Sequence, residues 1–206
     1  MPLLEFLRPV FFALFLWWFT TGLIIAIYGR SPRLIRFCFW GATGAMVGAL
    51  IGLLLTRHLT SPVSVYLSFT CGLVIWGWQI AGYYLGYITG PYVNTSAPAN
   101  EIQKLSFRTR FQMAFRAGLH HELVAAAFAL LLVAITWGQP NRWGLWIYLT
   151  VWLMHSSAKL NVFLGVRNFR IQFLPPHLHH LDRLLGRQNT NRLFPASIVV
   201  AVAVAL

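Results

Sequence analysis

Acidic residues are nearly missing from this 206-residue chain: Glu5, Glu101, Glu122 and Asp182 face sixteen Lys and Arg, giving a formal net charge of +12. Charge of any sign is scarce, at 10% of residues against about 25% in soluble globules. So little charge cannot clothe a surface in water, which excludes an ordinary soluble domain. Cysteine is limited to Cys38 and Cys71, both among apolar residues, so no disulfide framework can be read. The 16% aromatic content demands burial and excludes disorder. There is no phosphate-binding glycine loop, dinucleotide fingerprint, zinc-protease helix motif, paired-cysteine motif or nucleophile elbow.

What the chain does have is long apolar runs: 58% of residues are hydrophobic and the mean hydropathy is +0.64. A crossing of the hydrocarbon core takes about 20 apolar residues of helix. Backbone groups in lipid must be satisfied within the segment, so the spans are helices. The runs predict an all-α integral membrane protein, a single domain over 1–206 with about six transmembrane helices. The spans fall near 9–29, 37–56, 63–89, 113–137, 143–166 and 193–206. The last run has 14 residues and would rise about 21 Å, short of a crossing. The expectation is a sixth helix incomplete in this sequence, with the chain continuing past Leu206. The first span is too long for a secretory leader, and no small-x-small site follows it.

The charges set the topology. Arg8, Arg57 and Arg142 fall on the side of the N-terminus. Arg30, Arg33, Arg36, Lys104, Arg108, Arg110, Arg116, Arg167, Arg170, Arg183, Arg187 and Arg192 fall in the opposite loops. The positive-inside rule puts those loops in the cytoplasm and the N-terminus in the periplasm. Topology thus accounts for the charge without nucleic acid. The basic loops would also lie against anionic membrane lipids or an acidic partner.

Helices in lipid associate through close packing of small residues. Gly44, Gly48 and Gly52 recur every fourth residue in the second span, and Gly82, Gly86 and Gly90 do so in the third. They are candidate helix-packing positions, either within the bundle or toward a partner's helix. Trp137, Trp143 and Trp146 flank the outer turn, as in an interfacial belt. Trp17, Trp18, Trp76 and Trp78 lie deeper.

Ionisable groups inside spans are costly and are functional candidates. The fourth span carries His120, His121 and Glu122, the fifth His155, Lys159 and Asn161, and the third Gln79. Counted from the span ends, all three helices bring polar groups to similar depth. Glu122 is the one acidic residue within a full span, and it predicts an intramembrane ion pair with Lys159, His155 being close by. His120 and Glu122 point about 160° apart, so His120, His121 and Glu122 cannot all ligate one ion. His120, His121 and His155 are candidate ligands of a pigment or a metal, with the metal itself left unspecified. The alternative is an ion pair that fixes helix register. In the loops, Phe107, Phe111 and Phe115 suit an interfacial helix. His177, His179 and His180 follow Pro175-Pro176 in a solvated segment that is also a possible metal binder.

Several stretches together resemble one family. They are Phe15-Leu16-Trp17-Trp18-Phe19-Thr20-Thr21-Gly22, Phe69-Thr70-Cys71-Gly72-Leu73-Val74-Ile75-Trp76-Gly77-Trp78, Leu119-His120-His121-Glu122-Leu123, Thr136-Trp137-Gly138-Gln139-Pro140-Asn141, Ser157-Ala158-Lys159-Leu160-Asn161-Val162-Phe163-Leu164-Gly165-Val166 and Phe173-Leu174-Pro175-Pro176-His177-Leu178. They are similar to the PuhE family of photosynthetic complex assembly proteins of phototrophic bacteria, over nearly the whole chain. The resemblance implies a multi-pass protein of the inner (intracytoplasmic) membrane, a non-catalytic assembly factor or accessory subunit. Its implied partners are the subunits of the photosynthetic reaction centre and core light-harvesting antenna. Members often carry His-Glu after Trp-Gly-Trp, where this chain has Gln79-Ile80, which weakens a metal site on the third helix. Two alternatives stay open. One is a bacteriochlorophyll- or carotenoid-bearing subunit; the other is an intramembrane metalloenzyme or pigment-processing enzyme using His120, His121, Glu122 and His155.

Overall fold

A computed structural model describes residues 2–27, 29–91, 93, 97–166, 171, 174, 176–186 and 191–205, of which 2–6, 176, 201, 204 and 205 are described by backbone alone. The expected Asn94-Thr95-Ser96 turn, Arg167, Arg170 and Arg187 of the basic loops, and Phe173, Pro175 and Leu206 lie outside the described residues.

The described residues form helices and no strand. In chain order they are α1 (Pro2–Ile27), α2 (Pro32–Thr56), α3 (Pro62–Tyr84), α4 (Ala99–Lys104), α5 (Phe107–Ala117), α6 (Leu119–Thr136), α7 (Trp143–Leu164), a 3-10 helix (Pro176–Leu184) and α8 (Leu193–Ala205). Four of them, Leu7–Ile27 within α1, α2, α3 and α6, are long and apolar enough to cross a membrane. The architecture is an all-α membrane bundle. α7 has 22 residues, but its apolar run is broken by His155, Ser156, Ser157, Lys159 and Asn161.

Local chemistry sets where the helices start. Ser31 and Ser61 each accept a hydrogen bond from the backbone three residues on, and Pro32 and Pro62 follow them. A serine oxygen thus occupies an orphan donor of the first turn, and proline sits where no N–H is needed. α3 stops at Tyr84 because the chain turns back on itself. Gly86 has φ +82° and the amides of Tyr87 and Ile88 both donate to Gly82 O. The third span therefore ends five residues before the expected Thr89.

The fourth span departs from expectation more sharply. The apolar run over 113–137 is two helices, broken at Gly118 with φ −110° and ψ 10°. α5 is polar and strongly two-faced, and cannot share the apolar path of α6. Phe107, Phe111 and Phe115 line one exposed side of it. The break also serves the third helix's returning strap, since His121 N donates to Thr89 O at 3.0 Å. His120, His121 and Glu122 consequently lie in the first turn of α6, not two turns into a longer helix.

The core runs between α2, α3, α6 and α7 and includes Leu53, Ile75, Trp76, Ala125, Leu132 and Tyr148. A second apolar cluster forms a cap at the basic end. There Leu178, Leu181 and Leu184 of the 3-10 helix pack with Tyr83, Ile102 and Ala117. The segment expected to be solvated around His177 is thus anchored by three buried leucines.

Small residues do bring segments close, and the tightest helix-to-helix approach is made by two glycines outside the expected stripes. A Cβ on Gly72 would lie 2.2 Å from Gly144 O, and one on Gly144 would lie 2.4 Å from Leu53 Cδ2. Gly144 N also donates to Ser68 Oγ at 3.0 Å. Of the expected positions, Gly52 meets Cys71 Sγ and Gly82 meets Ile88, whereas Cβ atoms on Gly44 and Gly48 would meet nothing within 4 Å. The α2 face that packs on α3 is Met46, Ala49, Leu53 and Thr56, and at 100° per residue Gly44 and Gly48 turn away from it. Gly86 lies in the turn beyond α3 and is not part of a helical stripe at all.

At the opposite end, the turn before α7 is fastened by Asn141. Its buried Nδ2 donates to Thr56 O and Ser64 O, each at 3.1 Å, and its backbone N donates to Arg57 O. One side chain thereby satisfies carbonyls at the end of α2 and in the first turn of α3. Trp137, Trp143 and Trp146 around it are exposed, as an interfacial belt requires. Trp76 is buried and Trp78 donates to Thr43 Oγ1 at 2.9 Å, while Trp17 and Trp18 stay exposed on α1.

Candidate functional site

The polar residues converge because three helices present matching stripes. On α7, Tyr148, Trp152, His155 and Lys159 follow one another at steps of four, three and four. On α3, Gly72, Trp76, Gln79 and Tyr83 do the same. That spacing keeps each set on one helix face. α6 adds His121 and Ala125 from its first two turns.

Lys159 Nζ pairs with Glu122 Oε1. The other carboxylate oxygen, Oε2, accepts from Trp152 Nε1 at 2.9 Å. Glu122 also sits in the first turn of α6, where unpaired backbone N–H groups favour a negative charge. A carboxylate held away from bulk water thus has an ammonium, an indole and a helix terminus for partners. Next to it, Tyr148 Oη accepts from Gln79 Nε2 at 2.7 Å and donates to Ala125 O at 2.9 Å. Gln79 and Tyr148 are both fully enclosed, so this chain of bonds satisfies each within the protein.

The histidines divide. His120 is exposed on α6. His121 is fully buried, and neither of its ring nitrogens has a hydrogen-bond partner; His155 Nε2 is likewise enclosed and unpartnered. The two rings are 5.5 Å apart, centre to centre. Trp76 and Tyr83 border both, at 5.9 and 4.9 Å from His121 and 5.5 and 6.4 Å from His155. Among the described residues there is no group of three or more His, Cys, Asp or Glu placed to hold a metal ion. Asn161 lies away from this cluster, and its Nδ2 binds Ser157 O and Ser197 Oγ, joining α7 to α8.

Gln79 is five residues from the end of α3, and Lys159 is five from the end of α7. The cluster therefore lies about 8 Å from the helix ends, shallower than the 15 Å implied by spans that ran on to Thr89. Trp152, Tyr148 and Tyr83 are members of the site not singled out from the sequence. The signal was present in the α7 and α3 spacings, which a search confined to ionisable residues passes over.

At the basic end, His177 donates to the backbone of Tyr83, and its ring packs 3.6 Å from where a Cβ of Gly86 would stand. Partial burial, reinforced by His180 and His179, holds its pKa below the usual histidine value. His179 Nε2 lies 2.8 Å from Leu174 O.

A bundle of apolar helices closed around an ion pair and two imidazoles with unpartnered ring nitrogens defines a polytopic membrane protein with a polar centre near one face. The chain belongs to the family described as "Protein of unknown function (DUF3623)", whose pattern it matches over residues 3–206. It is also similar to the "Uncharacterized 30.4 kDa protein in puhA 5'region" of Rhodobacter capsulatus, at 30% identity over 193 residues, covering 91% of this chain and 68% of that protein. No solved structure matches it.

Proposed function

We propose that the protein is a PuhE-type helper of photosynthetic complex formation in the bacterial inner membrane, acting without catalysis as an assembly factor or accessory subunit. Its spans, α7 and α8 included, would place the basic loops and their cap in the cytoplasm and the N-terminus in the periplasm. Two things support the photosynthetic setting. One is the set of motifs shared with the PuhE family. The other is the name of the Rhodobacter capsulatus relative, which puts it in the puhA 5' region.

The observation that carries a holding role is the glycine face of α2. A Cβ added to Gly41, Gly44 or Gly48 would meet no described atom within 4 Å beyond the helix's own nearby backbone. Small residues on a lipid-facing helix surface are the means by which another helix is admitted closely. Glu122, Lys159, Trp152, Gln79 and Tyr148 are meanwhile committed to one another, which suits a rigid scaffold. The partners would be helices of the reaction centre and core antenna. A bacteriochlorophyll or carotenoid carried by the protein would lie on the outer surface, where His120 is exposed.

The test is capture of the tagged full chain from native phototroph membranes. Reaction-centre or antenna subunits should co-purify with it, and Gly48→Leu should reduce both their recovery and the complex yield. Clean recovery of the chain alone under mild detergent, with normal complex yield in Gly48→Leu, would sink the proposal.

A further inference from the structure

We propose that α5 carries a binding site for an anionic phospholipid of the leaflet at the basic end, with Arg108 and Arg116 taking its phosphate. The site is separate from the polar centre, goes beyond the assembly role and does not depend on it.

α5 is built as two parallel rows. Phe107, Phe111 and Phe115 follow one another at every fourth residue, and Arg108, Gln112 and Arg116 do the same one position on. At 100° per residue the second row lies beside the first along the helix. Each phenylalanine ring stacks on the next, at 6.3 and 6.4 Å between centres, and all three are exposed. Arg108, Gln112 and Arg116 are exposed as well. The packed side of the helix is elsewhere: Ala117 is buried in the cap, with Met113 and Ala114 against the same cluster.

The position of α5 selects the occupant. Phe107 and Phe111 meet the ring of Phe163 edge-on, at 5.5 and 5.6 Å, and Phe163 is one residue from the end of α7. Gly118 alone joins α5 to the apolar α6. The aromatic row is therefore held where the long helices end, at the boundary of hydrocarbon and headgroups. At that level an apolar row meets acyl chain and a basic row meets phosphate. An acidic segment of a soluble partner would answer the arginines and leave the phenylalanines in water.

Charge points the same way. α5 has three arginines and no acidic residue. Arg110 is already engaged, donating through Nη1 to Gln103 Oε1. Arg108 and Arg116 have no acidic partner among the described residues, so both guanidinium forks are left for an anion. Such a fork matches the oxygens of a phosphate in pairs. Thr109, Gln112, Met113, Phe115 and Arg116 line a groove of about 480 Å³ on this helix. That volume lies within the range of small-molecule sites, about 300–1,000 Å³. Its amide and guanidinium suit a headgroup, and its thioether and ring suit the first carbons of a chain.

The experiment uses the full chain in nanodiscs of phosphatidylglycerol and phosphatidylcholine in equal parts. Native mass spectrometry counts the lipids the released chain keeps. Hydrogen exchange follows Phe107–Ala117 in the same discs and in pure phosphatidylcholine. Wild type should keep phosphatidylglycerol in preference, and α5 should exchange more slowly in the mixed discs. Each arginine near a charged lipid surface is worth about fivefold in binding, so Arg108→Gln with Arg116→Gln should lower the preference about thirtyfold. The difference in exchange should vanish with it. Phe115→Ser should weaken both readings with the charge unchanged. Arg33→Gln with Arg36→Gln removes the same charge from the exposed start of α2 and should leave both readings as in wild type. No preference in wild type, a preference kept in the Arg108 and Arg116 double variant or in Phe115→Ser, or one lost equally in the Arg33 and Arg36 variant would each overturn the site. So would a protein partner captured through these arginines while lipid selection stays unchanged. Every substituted side chain is exposed, so the variants test binding without challenging the fold.

Discussion

Gly72 on α3 and Gly144 on α7 meet backbone to backbone, close enough that a Cβ on Gly72 would lie 2.2 Å from Gly144 O. This contact sets how near the two helices come, and their approach lets Gln79 reach Tyr148 one to two turns farther along. The hydrogen-bonded centre therefore depends on two hydrogen atoms standing where side chains would otherwise be. Ser68 Oγ accepting from Gly144 N fixes the same crossing by a polar contact.

Gly72→Ala should already be harmful, because the atom opposite is a carbonyl and not a flexible side-chain end. Overpacking of this kind costs about 1–3 kcal/mol, and more where backbone must move. Reversible unfolding in detergent should show that loss for Gly72→Ala, while Gly44→Ala should stay within about 0.5 kcal/mol of wild type. Equal stability of the two variants would mean that α3 and α7 do not cross as described.

The ion pair makes a signed prediction. Lys159→Met leaves Glu122 with Trp152 as its remaining side-chain partner and should cost about 1–3 kcal/mol, since breaking one side of a half-buried pair strands a charge. Glu122→Gln combined with Lys159→Met should recover much of that loss. A double-mutant cycle on the unfolding midpoint measures it, and additivity would show that the two groups do not interact.

Asn141→Ala removes the side-chain bonds to Thr56 O and Ser64 O, leaving Thr56 O with Leu59 N. The expected loss is about 1–3 kcal/mol. Asn141→Asp should be no milder, because a carboxylate cannot donate to either carbonyl. Comparison of the two variants by thermal unfolding checks this, and a stable Asn141→Asp would contradict the donor role.

The cap should loosen in acid. The folded pKa of His177 lies below its unfolded value, so the unfolded segment binds the proton more readily. Stability linked to His177 is then fully present above the ordinary histidine pKa and is lost as pH falls below it. Hydrogen exchange across Pro176–Leu184 should quicken from pH 7.5 to pH 5.5, relative to α6, and His177→Gln should flatten that dependence. A pH-independent protection ratio would remove His177 from the role.

Much of this was legible from residue order, and the failures are physical ones. Hydropathy located the apolar helices, and the scarcity of acids inside them left Glu122 with Lys159 as its nearest complement. The run over 113–137 misled because hydropathy averages across Gly118, although the polar face of α5 cannot follow α6 into lipid. The glycine stripes left their neighbours open for another reason. Regular spacing shows that a face is small, while which face meets a neighbour depends on how the helices cross.

The order of residues by itself determined that this is a bundle of membrane helices, with its positive charge gathered at one end and a carboxylate needing a cation inside. Those properties are local, set by what each segment costs in lipid. Tertiary structure alone decided that Gly72 and Gly144 make the close crossing while Gly44 and Gly48 look outward. It likewise decided that a histidine-bearing loop becomes a leucine-anchored cap and that His121 and His155 face each other with unpartnered ring nitrogens. Each of these rests on the mutual placement of distant helices, and in lipid that placement comes from packing shape and hydrogen bonds, not from hydropathy.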